Sequence, residues 1–136
     1  MTVRTPSRRR GFTLVEQAAV VALAGAALAS LLPVLAALRP EAERVALQTQ
    51  AGVAGRAMAL NELACAVTDQ RPVPGKCARI SRCEQVAELL GGELPEGVRA
   101  APQAIADGLN GVAVRCQLQG LRDDLQAVFR GVSAGH

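Results

Sequence analysis

The chain has 136 residues, room for one domain with one small core. Half of them are apolar, yet Phe12 and Phe129 are the only aromatics, so the core must be built from Ala, Val and Leu, and the chain offers no rings for stacking on bases. The formal charge of +3 is concentrated at Arg4, Arg8, Arg9 and Arg10; from Phe12 onward 11 basic residues meet 12 acidic ones, which excludes a basic stripe for sequence-specific nucleic-acid binding.

The first predicted element is apolar. Between Glu16 and Arg39 lie the 22 uncharged residues Gln17 to Leu38, and at 1.5 Å per residue a helix of that length spans about 33 Å, enough for a bilayer core. Arginines on its N-terminal side would hold that end in the cytoplasm and send the following residues across the membrane. A carboxylate inside an apolar helix costs a few kcal/mol or more without a partner, so Glu16 calls for an explanation. Ala18, Ala22, Ala26 and Ser30 recur every four residues as a stripe of small side chains that permits close helix approach. Nine of the 22 residues are Ala, so composition alone produces such stripes. Pro33 removes an intrahelical hydrogen bond and should kink or loosen the helix.

An ordinary secretory signal is cut at small residues after its apolar run. Here the sharper feature precedes the run: Gly11 follows Arg8, Arg9 and Arg10 and stands directly before Phe12, Thr13, Leu14, Val15 and Glu16. In this stretch the chain resembles the type IV pilin-like family, which includes major and minor pilins and the pseudopilins of type II secretion and competence systems. The resemblance covers roughly residues 7–33, about a fifth of the chain. It departs from the family at Gln17, where Leu or Met is usual, and in having Ala for much of the usual Ile and Leu.

The resemblance implies a leader, residues 1–11, cut by prepilin peptidase between Gly11 and Phe12, with Phe12 then N-methylated. It implies that Glu16 is neutralised by the new Phe12 amine, its own or that of a neighbouring subunit, where a low dielectric makes the pair attract strongly. Gly25 and Pro33 fall where the family loosens its helix. Residues 12–38 would be a transmembrane and filament-core helix and residues 39–66 its amphipathic continuation. Residues 67–136 would be a small disulfide-stapled periplasmic domain. The implied fold class is α+β, a long N-terminal helix packed on a small antiparallel sheet. The implied partners are the peptidase, other pilin or pseudopilin subunits, the inner-membrane assembly platform and the lipid bilayer. The subunit would be stored in the bacterial inner membrane with its N-terminus cytoplasmic and its C-terminal domain periplasmic, then assembled into a pilus or pseudopilus. The rival reading is a signal-anchored periplasmic binding or enzymatic domain that never enters a filament.

Farther along, Pro40 suits the first turn of a helix reaching about Ala66, with Val45, Thr49, Val53, Leu60 and Ala64 as its apolar face. Residues 68–76 read as a loop from their Pro and Gly content. Ser81 and Glu84 read as the capping box of a short helix, with Cys83, Val86, Ala87 and Leu90 on one face and Gly91 ending it. A short strand is expected near Val98. Val112, Val114, Cys116 and Leu118 alternate as a half-buried strand. After the turn at 120–124, residues 125–130 return as its hairpin partner with Leu125, Ala127 and Phe129 inward.

Cys65, Cys77, Cys83 and Cys116 contain no C-x-x-C spacing, and the sole histidine, His136, is far from them in sequence, so two disulfides fit better than a metal site. Four cysteines allow three pairings; Cys65 with Cys77 and Cys83 with Cys116 would staple the loop to the helix end and the short helix to the strand. No catalytic set, phosphate loop or cofactor motif is found. Asp123 and Asp124 supply too few oxygens for calcium and read as a solvated turn. The chain is therefore expected to be a structural subunit and not an enzyme, without metal or cofactor.

Overall fold

The structure, a computed structural model, describes residues 13–136. The expected leader, the Gly11–Phe12 cleavage pair and the methylated Phe12 lie outside the described residues. The fold is α+β: α1 (Leu14–Val67), a single 3-10 turn (Cys83–Gln85) running into the short α2 (Val86–Leu89), then β1 (Arg99–Ala100), β2 (Ala113–Gln119) and β3 (Gln126–Val132). The strands form one antiparallel sheet in the order β1-β2-β3. Two compact units meet between Arg39 and Pro40, so α1 gives its first part to one and its remainder to the other.

α1 is continuous through Gly25, Pro33 and Pro40. Pro40 therefore lies in the helix interior and not in a first turn. The run of helix formers on both sides carries the helix across two missing N–H groups.

In the second unit, α1 buries Leu47, Ala51, Ala54, Met58, Asn61 and Cys65, which follow one another at intervals of three and four residues. This corrects the expected apolar face. Val45, Val53 and Leu60 are 57%, 40% and 66% exposed. The sheet packs where side chains are small enough to admit it: a Cβ on Gly55 would lie 3.8 Å from the Arg130 backbone nitrogen. Cys116, Leu118, Leu125, Ala127 and Phe129 supply the sheet's inner face, joined by Ile80, Cys83 and Val86. The alternation expected in β2 and β3 is thus present, with Phe129 the one ring in this core.

A core so poor in large side chains benefits from covalent closure. Cys65 is bonded to Cys77 and Cys83 to Cys116, at sequence separations of 12 and 33. Loop-closure entropy gives about 2.8 and about 3.7 kcal/mol for loops of those lengths. The first bond secures the end of α1 to a loop that makes the Val73–Cys77 bridge; the second fixes the 3-10 turn to β2.

The short helix is capped differently from the expected Ser81–Glu84 box. Gln85 Oε1 accepts from the backbone N–H groups of Ser81 (2.8 Å) and Arg82 (3.0 Å). Glu84 instead binds Arg82 and accepts the Gln103 N–H at 3.2 Å. An amide three residues past the N-cap reaches back as a glutamate would, which frees Glu84 for a loop 19 residues away. Gly91 and Gly92 have positive φ, and the Gly92 N–H closes on the Ala87 carbonyl at 2.8 Å, ending the helix.

Candidate functional site

The N-terminal unit carries the residues with the sharpest sequence pattern. Thr13 stands at the N-cap of α1, and its backbone N–H donates to Glu16 Oε2 at 2.8 Å while its hydroxyl accepts the Glu16 N–H at 3.3 Å. This is a reciprocal capping box, legible in Thr13-Leu14-Val15-Glu16 by the same rule applied at Ser81 but not anticipated there. It satisfies two of the N–H groups that a helix start leaves open and places a carboxylate at the positive end of the helix dipole.

Beyond Glu16 the first unit has no buried residue. Leu14 and Val15 are 84% and 79% exposed, and Val20, Leu23, Leu28, Leu31 and Leu35 are also exposed, pointing around the whole circumference. A helix apolar on all sides requires an apolar surrounding. Its best 18-residue window has a mean hydropathy of 2.3 and is 0% buried, so by length and composition this helix is able to cross a membrane. Ser30 returns its hydroxyl proton to the Ala27 carbonyl at 2.8 Å, removing a polar demand from the surface. A Cβ on Gly25 would meet nothing within 4 Å, so that glycine is not forced by packing within the chain.

The second unit gathers no catalytic constellation. Among the described residues no group of three His, Cys, Asp or Glu side chains is placed to hold a metal. Asp124 binds Arg122 at 2.9 and 3.2 Å, and that hydrogen bond holds its carboxyl below, and the guanidinium above, their ordinary values. Asp123 is fully exposed with Arg99 3.9 Å away. The pair behaves as a solvated turn. The most enclosed hollow, about 260 Å³, lies between Leu47 of α1 and the loops carrying Pro95 and Leu121, and its lining holds no nucleophile paired with a base.

Two polar residues not singled out in the sequence hold this unit together. Asn61, 7% exposed, donates from Nδ2 to the Ala78 carbonyl and accepts the Ala78 N–H at Oδ1, both at 2.9 Å. His136 has a side chain only 1% exposed. Its Nδ1 faces the Arg79 Nε–H and the Gly108 N–H, each at 3.2 Å, and its Nε2 lies 3.1 Å from the Ile80 carbonyl. Those partners fix a neutral ring with the proton on Nε2. Comparisons with protein-family models, with curated proteins and with solved structures find no match for the chain.

Proposed function

We propose that this chain is a minor pilin or pseudopilin: a membrane-stored subunit, cut between Gly11 and Phe12 and then assembled through its N-terminal helix into a type IV pilus or a secretion-type pseudopilus. The observation that carries the reading is the position of Glu16. It is the only charge on an all-round apolar helix until Arg39, four residues beyond Phe12 and five beyond Gly11. The capping box uses one oxygen, Oε2. Cleavage before Phe12 would create an amine one residue ahead of Thr13, and the carboxylate retains acceptor capacity for it. In a membrane or filament core that amine, from this chain or a neighbour, offsets a charge that apolar surroundings penalise. The role of the protein in this reading is mechanical, with no reaction of its own.

The capping box also favours a second reading, a signal-anchored periplasmic domain, because it gives Glu16 a local use that needs no second subunit. Co-expression with prepilin peptidase separates the two. A mature species beginning at Phe12 and carrying an added methyl is expected by mass spectrometry, and an uncut chain refutes the filament reading. Glu16→Gln sharpens the test, since a glutamine still accepts the Thr13 N–H but cannot neutralise an amine. Membrane insertion should persist while incorporation into filaments falls; unchanged incorporation would reduce Glu16 to a helix cap.

A further inference from the structure

On the outer face of the sheet, Arg115 of β2 stands directly opposite Arg130 of β3, and both are exposed. Like charges directly opposite on adjacent strands destabilise a sheet. Their neighbours on that face, Ala113, Gln117, Gln126 and Val128, carry no carboxylate. Arg130 reaches only Glu62, at 3.6 Å from the helix side, and Arg115 has no acidic partner among the described residues. The two arginines flank a shallow depression of about 450 Å³ whose floor includes Val114 and Val128. Along the same edge, Arg56 of α1 is exposed and also without a printed acidic neighbour.

The complementary surface is on the same chain at the other edge of the sheet. Glu93 and Glu96 are exposed and have no basic partner among the described residues. They lie in the segment leading into β1, and β1 is the outer strand opposite β3. Pro95 between them disfavours a helical Leu94 and keeps the segment extended, so both carboxylates are presented outward from the body of the domain.

We propose that the Arg115–Arg130 face of one copy receives the Glu93–Glu96 segment of a second copy. Because the basic and acidic elements occupy opposite edges of one three-stranded sheet, a single copy does not satisfy its own pair. A contact that joins edge to opposite edge is heterologous, and repetition of it propagates in one direction without closing on a two-fold axis. Charge matching of this kind sets register and excludes wrong neighbours more than it adds raw affinity. The contact gives the proposed filament reading a specific neighbour for the second unit, yet it requires no processed N-terminus.

The test uses the full chain in membranes, with a benzophenone amino acid replacing Val128 beside the arginine pair. Irradiation should give a covalent dimer whose joined peptide contains Glu93 to Glu96 of the second copy. Arg115→Glu with Arg130→Glu should lower its yield at least about tenfold, and Glu93→Lys with Glu96→Lys in the other copy should do the same. Co-expressing the two reversed chains should restore the dimer, which a misfolded variant would not permit. Absence of a dimer, a joint to a different protein or to another segment, insensitivity to the arginine reversals, or failure of the mixed pair to recover would each overturn the proposal. A chain left uncut at Phe12 would refute the filament reading and leave a mapped joint standing, so the two failures are distinguishable.

Discussion

Asn61→Asp changes one atom's chemistry and almost no volume, and it should convert a clamp into a repulsion. Asn61 now pairs with both backbone groups of Ala78 at 2.9 Å. The aspartate keeps the bond from the Ala78 N–H but sets an anionic oxygen against the Ala78 carbonyl. Loss of one neutral hydrogen bond costs about 1 kcal/mol, and the unsatisfied, partly desolvated acceptors add about 1–3 kcal/mol, for a deficit of about 2–4 kcal/mol at neutral pH. A protonated aspartic acid can donate to the carbonyl and restore the pair, so the folded state raises its carboxyl above the ordinary value near 3.9. The sign follows: the variant is close to native below that ordinary value and loses stability as pH rises through the raised folded-state value. Urea unfolding of native and variant chains, matched at each pH and followed by far-ultraviolet circular dichroism, measures the difference while cancelling shared titrations. The neutral-pH midpoint should fall by about 1–2 M. A variant as stable as the native chain at neutral pH, or a deficit that does not shrink on acidification, would refute the argument.

Glu84 has the opposite pH sense. Partial burial pushes its carboxyl up, but hydrogen bonds from Arg82 and the Gln103 N–H outweigh that and leave it below the ordinary value. Its contribution is full above the usual glutamate range and disappears as pH falls through the lowered folded value, so Glu84→Gln should flatten the acid side of a stability–pH curve measured by urea midpoints; an unchanged slope counts against it. Gly131→Ala would drive a Cβ onto the Cys116 sulfur and to 3.0 Å from Ile105 Cδ1, and overpacking of this kind costs about 1–3 kcal/mol, readable as a lower unfolding midpoint. His136→Ala removes the acceptor of the Gly108 N–H and the donor to Ile80; at about 1 kcal/mol per bond, amide exchange at Gly108 should quicken at least about tenfold, and unaltered protection there would show the ring to be dispensable.

How far the amino-acid sequence predicts this molecule depends on which force selects each feature. Alternation in β2 and β3 is local and strong, and Cys116, Leu118, Ala127 and Phe129 are buried where period two places them. The four cysteines left three pairings open; the short helix and the loop were nonetheless elements of known position, and bonds from each to its nearer structural neighbour are the ones present. The inward face of α1 was misread because hydrophobicity favours Val45, Val53 and Leu60, whereas packing favours whatever lets a sheet approach. Ala51, Ala54 and Cys65 are fully or almost fully buried for that reason. Asn61 looked like an outward residue because its polarity was judged alone; its amide replaces a backbone partner for Ala78, which no periodicity rule detects. His136 was set aside for its position in the chain, and only the bridge between Ile80 and Ala134 brings it to the Arg79 and Gly108 groups that bury it.

The same distinction applies to Glu16. Its two uses operate at different levels: the capping box is a matter of four consecutive residues and forms in the described chain without help, while amine pairing depends on a cut and on apolar surroundings. They are compatible, because a carboxylate has lone pairs for more than one donor. A capped Glu16 is already oriented along the start of α1, so pairing with an amine at Phe12 or on a neighbour would require little further ordering of the side chain. The local motif thus positions the charge that the longer-range reading needs. This is why loss of the charge with retention of the cap, in Glu16→Gln, separates the two roles where removal of the whole side chain would merge them.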